Sequence, residues 1–271
     1  MLVPAHPFDR ALELEPTGRP GVLRGHTTPD WANMVGPFGG MTAALLLRAV
    51  EEHPERIGEP TALTVNFAAP VADGPFDIAA NAVRTNRTTQ HWLVELSQNG
   101  AVTTNATAVF GIRRETWENT EQAPPRAPAP AHVAESGLPD MIAWARNYEM
   151  RYVEGAVPGV GAEPESSSVT TLWARDRHGR AVDFAALTAM SDIFYPRVFL
   201  RRGAMSPAGT ISLTTYFHAD GAQLAAVGDD YVLATARAHR FSRGYFDQSA
   251  ELWSYSGELL VTTHQMVYFK A

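Results

Sequence analysis

Asp192 stands in the middle of one of the most apolar runs of the chain, with Leu187, Met190, Ile193 and Phe194 around it at helical spacing. An ionised carboxylate in such company costs on the order of several kcal/mol unless hydrogen bonds compensate it. It is either a proton acceptor with a task or a helix-surface or capping aspartate. Thr210 opens a strand-like run whose period of two sets Thr210, Ser212 and Thr214 on one face and Ile211, Leu213 and Phe217 on the other. Its hydroxyl is a polar handle or simply part of a good β-former. Gln265 shares its strand face with Val261, Thr263, Val267 and Phe269, so an amide sits inside an apolar stripe. Backbone groups can satisfy a buried amide of that kind. His218 and His239 have no second histidine at ligand spacing, and no Gly-x-Ser-x-Gly elbow is present, which argues against metal or Ser-His chemistry. Gly36-Pro37-Phe38-Gly39-Gly40 lacks the Lys-Ser or Lys-Thr ending of a phosphate loop.

The elements that must position these residues come in two sets. Leu63-Thr64-Val65-Asn66-Phe67 recurs 150 positions later as Leu213-Thr214-Thr215-Tyr216-Phe217, the mark of one domain type used twice. In the first copy, turn formers from Trp31 to Gly40 lead into a helix over Met41 to Val50 that is apolar nearly all round, the pattern of an enclosed helix. Strands follow at Ala62 to Phe67, Phe76 to Arg84, His91 to Gln98 and Ala101 to Phe110, the last two joined through Asn99-Gly100, a strong hairpin signal. The second copy reads as strands at Tyr148 to Glu154 and Val169 to Ala174, then a helical run from Val182 to Phe194 that Pro196 should kink or end. Strands at Ile211 to Phe217, Tyr231 to Phe241, Gln248 to Tyr255 and Glu258 to Phe269 complete it, with Ser256-Gly257 as the last turn and an insertion near Asp220 to Ala226. Ala and Pro alternate through Ala123 to Pro130, as in an extended polyproline-like tether. The expected division is residues 1–120, a linker at 121–140 and residues 141–271.

Composition limits the function classes. A chain of 271 residues that is 45% hydrophobic can bury a large core. It has no cysteine, hence neither disulfides nor thiolate metal sites. A net charge of -7 without clustered Lys and Arg speaks against a nucleic-acid partner, although Arg201-Arg202 suits a small phosphorylated ligand. No apolar stretch approaches the roughly 20 residues that cross a bilayer, and no signal-peptide pattern opens the sequence. The expectation is a cytoplasmic protein with no membrane partner.

An apolar helix followed by an antiparallel sheet, twice over, implies sheets that each curl around a helix and join edge to edge, since open strand edges invite aggregation. This order resembles the hot-dog fold, and the tandem arrangement is similar to the double hot-dog acyl-CoA thioesterases of the type II class. The resemblance rests on Phe38-Gly39-Gly40 entering the first helix, the strand from Leu63 to Pro70, and Ala189-Met190-Ser191-Asp192. It extends to Gly209-Thr210-Ile211-Ser212 before Tyr216-Phe217-His218, and to Gly257 through Gln265. The fold class it implies is α+β, two antiparallel sheets each wrapped on a central helix and fused into one. The activity it implies is hydrolysis of an acyl-CoA by a water held on Asp192, Thr210 and Gln265, with Asp192 as the base and the other two fixing the water. Backbone N–H groups of Gly40 and Met41 at the helix start would stabilise the oxyanion. Family members often carry Gln where Met41 stands, so a side-chain contribution there is not expected. The resemblance implies no metal or organic cofactor, a small-molecule acyl-CoA partner, and a homodimer or homotetramer. A non-catalytic acyl-binding protein on the same scaffold is the first rival reading; a hot-dog hydratase is the second, and it wants a histidine base that neither half places near its helix.

Overall fold

The segment from Met41 to Val50 leaves water almost no polar stripe, so it forms a stable helix only if protein surrounds it. In the computed structural model, which describes residues 5–136 and 142–270, protein does surround it. Residues 137–141, holding the end of the expected linker and the expected start of the second domain, lie outside the described residues. In chain order the helices and strands are α1 (Pro7–Ala11), β1 (Glu15–Pro16), β2 (Val22–His26), α2 (Gly39–Glu51), β3 (Glu59–Phe67), β4 (Pro75–Thr85), β5 (Thr89–Gln98) and β6 (Ala101–Gly111). The second half adds β7 (Tyr148–Glu154), β8 (Thr170–Asp176), α3 (Phe184–Met190), α4 (Arg197–Arg202), β9 (Ala208–Phe217), α5 (Gly221–Val227), β10 (Val232–Arg237), β11 (Phe241–Ser242), β12 (Tyr245–Ser254) and β13 (Leu259–Phe269). Within α2, Leu45, Leu46, Leu47 and Val50 are all buried. Each such side chain contributes about 1.5–3 kcal/mol relative to exposure, which outweighs the helix's lack of a side-chain N-cap.

The two sheets are one. A 13-stranded antiparallel sheet runs β1-β2-β4-β5-β6-β3-β9-β13-β12-β10-β8-β7, with β11 paired to β12 alone. The seam is β3 against β9, where Thr64 lies opposite Thr214 with their hydroxyl oxygens 3.0 Å apart. Those two residues are counterparts in the sequence repeat, so the pseudo-twofold axis relating the halves passes between them. The main core fills the inside of this sheet around α2 and α3. The chain is therefore the α+β double hot-dog that its pattern implied.

Several elements differ from the sequence reading. The helical run expected to reach Phe194 stops at Met190, where Ser191 Oγ donates back to the Leu187 carbonyl (2.9 Å) and the Asp192 N–H closes a tighter turn on Ala189 (3.1 Å). Pro196 then begins the separate helix α4. The insertion near Asp220 is the helix α5, opened by a reciprocal capping box between Asp220 and Gln223. The strand expected from Tyr231 to Phe241 is two, β10 and β11. Asn99-Gly100 makes the tight hairpin with both residues at positive φ, 52° and 80°, as the pair of residue types requires.

The Pro/Ala stretch is laid along the protein. The Trp173 indole N–H donates to the Pro128 carbonyl (2.9 Å), Arg151 donates to Val133 (2.7 Å), and Gln122 donates to Glu251 (2.8 Å). Ala127 and Val133 pack on the cluster of Trp173, Tyr231, Leu233 and Trp253. Trp173 alternates with Leu172 and Ala174 of the main core, so this cluster belongs to the outer face of the second half-sheet, and the stretch covers it.

Candidate active site

The two central helices run antiparallel. A Cβ built on Gly40, at the start of α2, would stand 2.4 Å from the Ala189 carbonyl near the end of α3. At the other end, Glu51 of α2 feels the charge of Asp183, the N-cap of α3. Only glycine permits the first approach, and it brings the N-terminus of α2, with its free N–H groups and partial positive charge, against Asp192. Phe38, stacked on Trp144 at 4.0 Å between ring centroids, walls that turn. Gly39 is equally constrained, because a Cβ there would lie 2.7 Å from Asp192 Oδ2.

Asp192, Thr210 and Gln265 come together from three elements. Gln265 Nε2 donates to Asp192 Oδ1 at 2.9 Å, and the Thr210 hydroxyl donates to Gln265 Oε1 at 3.1 Å. The Gly40 backbone N–H reaches the carboxylate as well. Burial raises the Asp192 carboxyl from 3.8 to about 7, and the Gln265 amide and Gly40 N–H pull it back down only in part. No cation contributes to that balance. The result is a carboxylate that titrates near neutrality, in the range where a general base works best.

Thr210 reaches this chain of contacts because the strand period breaks. Along the β9–β13 ladder, Leu213 pairs Gln265 and Ser212 pairs Met266, yet Thr210 pairs Val267, so Ile211 is the extra residue of a β-bulge. The bulge turns Thr210 to the inner face that Leu213 and Gln265 share. Strict alternation had put it on the opposite face from Leu213. The same irregularity stands in the first half, between Pro60 and Ala62.

A cavity of about 590 Å³ opens in front of these groups. Its wall combines Asp192, Thr210 and Gln265 with apolar side chains including Phe38, Ile142, Trp144, Phe194 and Phe199. Gln248 also lines it, next to Gln265 across the β12–β13 ladder and only 1% exposed. The sequence reading passed over Gln248. It could have been found as a second amide at an inward position of the neighbouring strand. His218, against Thr262, and His239, against Asp247, lie exposed outside this wall. No described helix is long and apolar enough to cross a membrane.

Comparison with known proteins agrees with this architecture. Residues 27–111 match the acyl-CoA thioesterase N-terminal domain and residues 120–269 the acyl-CoA thioesterase C-terminal domain. A conserved protein of unknown function with a hot-dog fold from Alicyclobacillus acidocaldarius is 46% identical over 98% of this chain and 99% of its own, with a TM-score of 0.94. The TesB protein of Mycobacterium avium subspecies paratuberculosis shares 21% identity at a TM-score of 0.80, covering 97% of this chain and 98% of its own. Acyl-CoA thioesterase II TesB2 of Mycobacterium marinum shares 17% at 0.78 over the same fractions, likenesses that speak to fold alone. No curated protein matches the chain.

Proposed function

The chain belongs to the acyl-CoA thioesterase family, and on that premise we propose that it hydrolyses an acyl-CoA to the free acid and CoA with a water activated by Asp192. The observation that supports this most is the directed chain from Thr210 through Gln265 to Asp192. The single Thr210 hydrogen is spent on Gln265, so toward a water Thr210 can only accept. Asp192, ionised, can only accept too. A water between them gives one hydrogen to each, and its lone pairs are left free, one of them to face the thioester carbonyl carbon. Gln265 sets both ends of this arrangement, since its N–H favours the ionised carboxylate and its carbonyl fixes the rotor of the threonine.

As the water oxygen bonds to the carbonyl carbon, its proton passes to Asp192 and the carbonyl oxygen becomes an oxyanion. Protonation weakens the hold of Asp192 on the Gly40 N–H, which with the neighbouring Met41 N–H then offers donors at a helix N-terminus. Collapse of the tetrahedral intermediate breaks the C–S bond, and the departing thiolate takes the proton back from Asp192. No covalent enzyme intermediate is required.

The test is thiol release from a panel of acyl-CoA thioesters by the purified protein and its Asp192→Asn variant. Turnover by the wild type and its collapse in the variant are expected. Tight ligand binding without thiol release would replace this reading with a non-catalytic binding protein.

A further inference from the structure

Arg197, the first residue of α4, is 0% exposed and pairs with no carboxylate among the described residues. Its Nε and Nη2 both donate to the Tyr195 carbonyl, its Nε also donates to Gln248 Oε1 at 3.1 Å, and its Nη1 has no partner among the described residues. The guanidinium lies over the Tyr195 ring, 4.2 Å from its centroid. Burial lowers its pKa only to about 10, so it is still a cation at neutral pH. A buried cation without a counter-charge is an expensive feature for a fold to keep.

Its consequence falls on Gln248. A guanidinium can only donate, so Gln248 must turn its carbonyl to Arg197, and its NH₂ becomes the fixed, opposite end of the amide. Gln248 lines the same cavity as Asp192 and sits beside Gln265. Ser206, also on the cavity wall, has a hydroxyl that is out of solvent and has no partner among the described residues. An unsubstituted hydrocarbon chain in this cavity would leave the Gln248 NH₂ unanswered, which is unfavourable, whereas an oxygen acceptor on the acyl group would meet it.

Building on the thioesterase reading, we infer that Gln248, held in orientation by Arg197, selects acyl groups that carry a hydrogen-bond-accepting oxygen, a ketone or a carboxylate, beyond the thioester. Gln248 is the contact residue. Arg197 is a positioning residue that acts through it, and its positive charge biases the site toward acceptors and against ammonium-bearing acyl groups.

The experiment compares kcat/KM for three four-carbon thioesters, butanoyl-CoA, 3-oxobutanoyl-CoA and succinyl-CoA, in the wild type, in Gln248→Leu and in Gln248→Glu. At least one oxygenated substrate should exceed butanoyl-CoA by about tenfold or more in the wild type, and which one leads identifies ketone or carboxylate. That ratio should drop about tenfold in Gln248→Leu, which has no N–H donor. In Gln248→Glu the new carboxylate pairs with Arg197 and the succinyl ratio should drop furthest. Arg197→Lys should keep part of the preference and Arg197→Met should lose it, a pattern that mere loss of packing would not give. Equal rates for all three substrates, or a wild-type preference that survives in Gln248→Leu, would overturn this inference and leave the thioesterase reading standing. Failure of every acyl-CoA to release thiol would overturn both.

Discussion

The two copies of the repeat put opposite kinds of side chain at equivalent places. Strand pairing fixes the equivalences: Leu63 faces Ala108 in the first copy as Leu213 faces Gln265 in the second, and Pro60 faces Phe110 as Thr210 faces Val267. One strand further out, Trp92 faces Ala108 as Gln248 faces Gln265. So Pro60, Ala108 and Trp92 stand where the second copy has Thr210, Gln265 and Gln248. Both copies keep the bulge, at Thr61 and at Ile211, and both keep the central helix. Duplication preserved the frame, and at these three positions the side chains separate packed core from a polar-walled cavity. The first copy is covered as well, since α5 begins against Glu59 and Phe184 beside Pro60.

The ends of the helix pair sharpen the contrast. Burial pushes both Glu51 and Asp192 up to about 7. Glu51, however, has the Arg48 guanidinium 3.6 Å away and the like charge of Asp183 nearby, a structural ion cluster. Asp192 has only neutral donors and an open cavity. A raised carboxyl pKa therefore does not by itself identify a catalytic residue, and the surrounding hydrogen bonds and open space must be read with it.

Breaking the second copy should have the largest effect. Asp192→Asn is expected to lower kcat by about two to four orders of magnitude, measured by thiol release. In the wild type kcat/KM should rise with pH to an inflection at about 7, where Asp192 ionises. Stability should move the other way. The unfolded chain gives up this proton near 3.8 and the folded one near 7, so ionisation favours unfolding across that window and stability falls as pH rises through it. Asp192→Asn removes that slope, and its free energy of unfolding above pH 7, from denaturant titrations, should exceed that of the wild type by an amount on the order of a few kcal/mol.

Gln265→Leu should come next, with a loss of about ten- to a hundredfold in kcat from a misplaced water. Its pH inflection should move upward, because the variant lacks the N–H that favours the ionised carboxylate. A downward move would show that the amide does not serve that purpose. Gly40→Ala acts on the frame, driving a Cβ toward the Ala189 carbonyl, and should cost about 1–3 kcal/mol in chemical denaturation. The smallest effect tests the comparison from the other side. Ala108→Gln placed in the Asp192→Asn background should restore no thiol release, because Ala108 is buried in the sheet between Leu63 and Trp92 and does not line the Asp192 cavity.

Much of this was legible in the chain of residues. The period of α2, the Asn99-Gly100 turn and the repeated strand Leu63 to Phe67 each follow from local rules, and together they imply the double sheet. Asp192 stood out because an acid among Leu187, Met190 and Ile193 breaks the pattern. The end of α3 falls short of the apolar spacing because Ser191 returns a hydrogen bond to the helix, a competition that hydrophobic spacing does not register. Thr210 departs from the face that strict alternation gives it because a bulge is a property of two strands, and one strand's alternation contains no sign of it. Gln248 is not legible from its own strand, because its meaning depends on Gln265 across the ladder and on Arg197 behind it.

The sequence by itself determined the element types, the duplication and the acidic residue out of place, since these depend on neighbours within a few positions and on a repeat visible along the chain. Only the tertiary structure decided which copy carries the polar-walled cavity and what Asp192 titrates against. Those outcomes rest on contacts between residues 192, 210, 248 and 265 and the start of α2, and a hydrogen bond or a desolvated charge has energy only once the partners are in place.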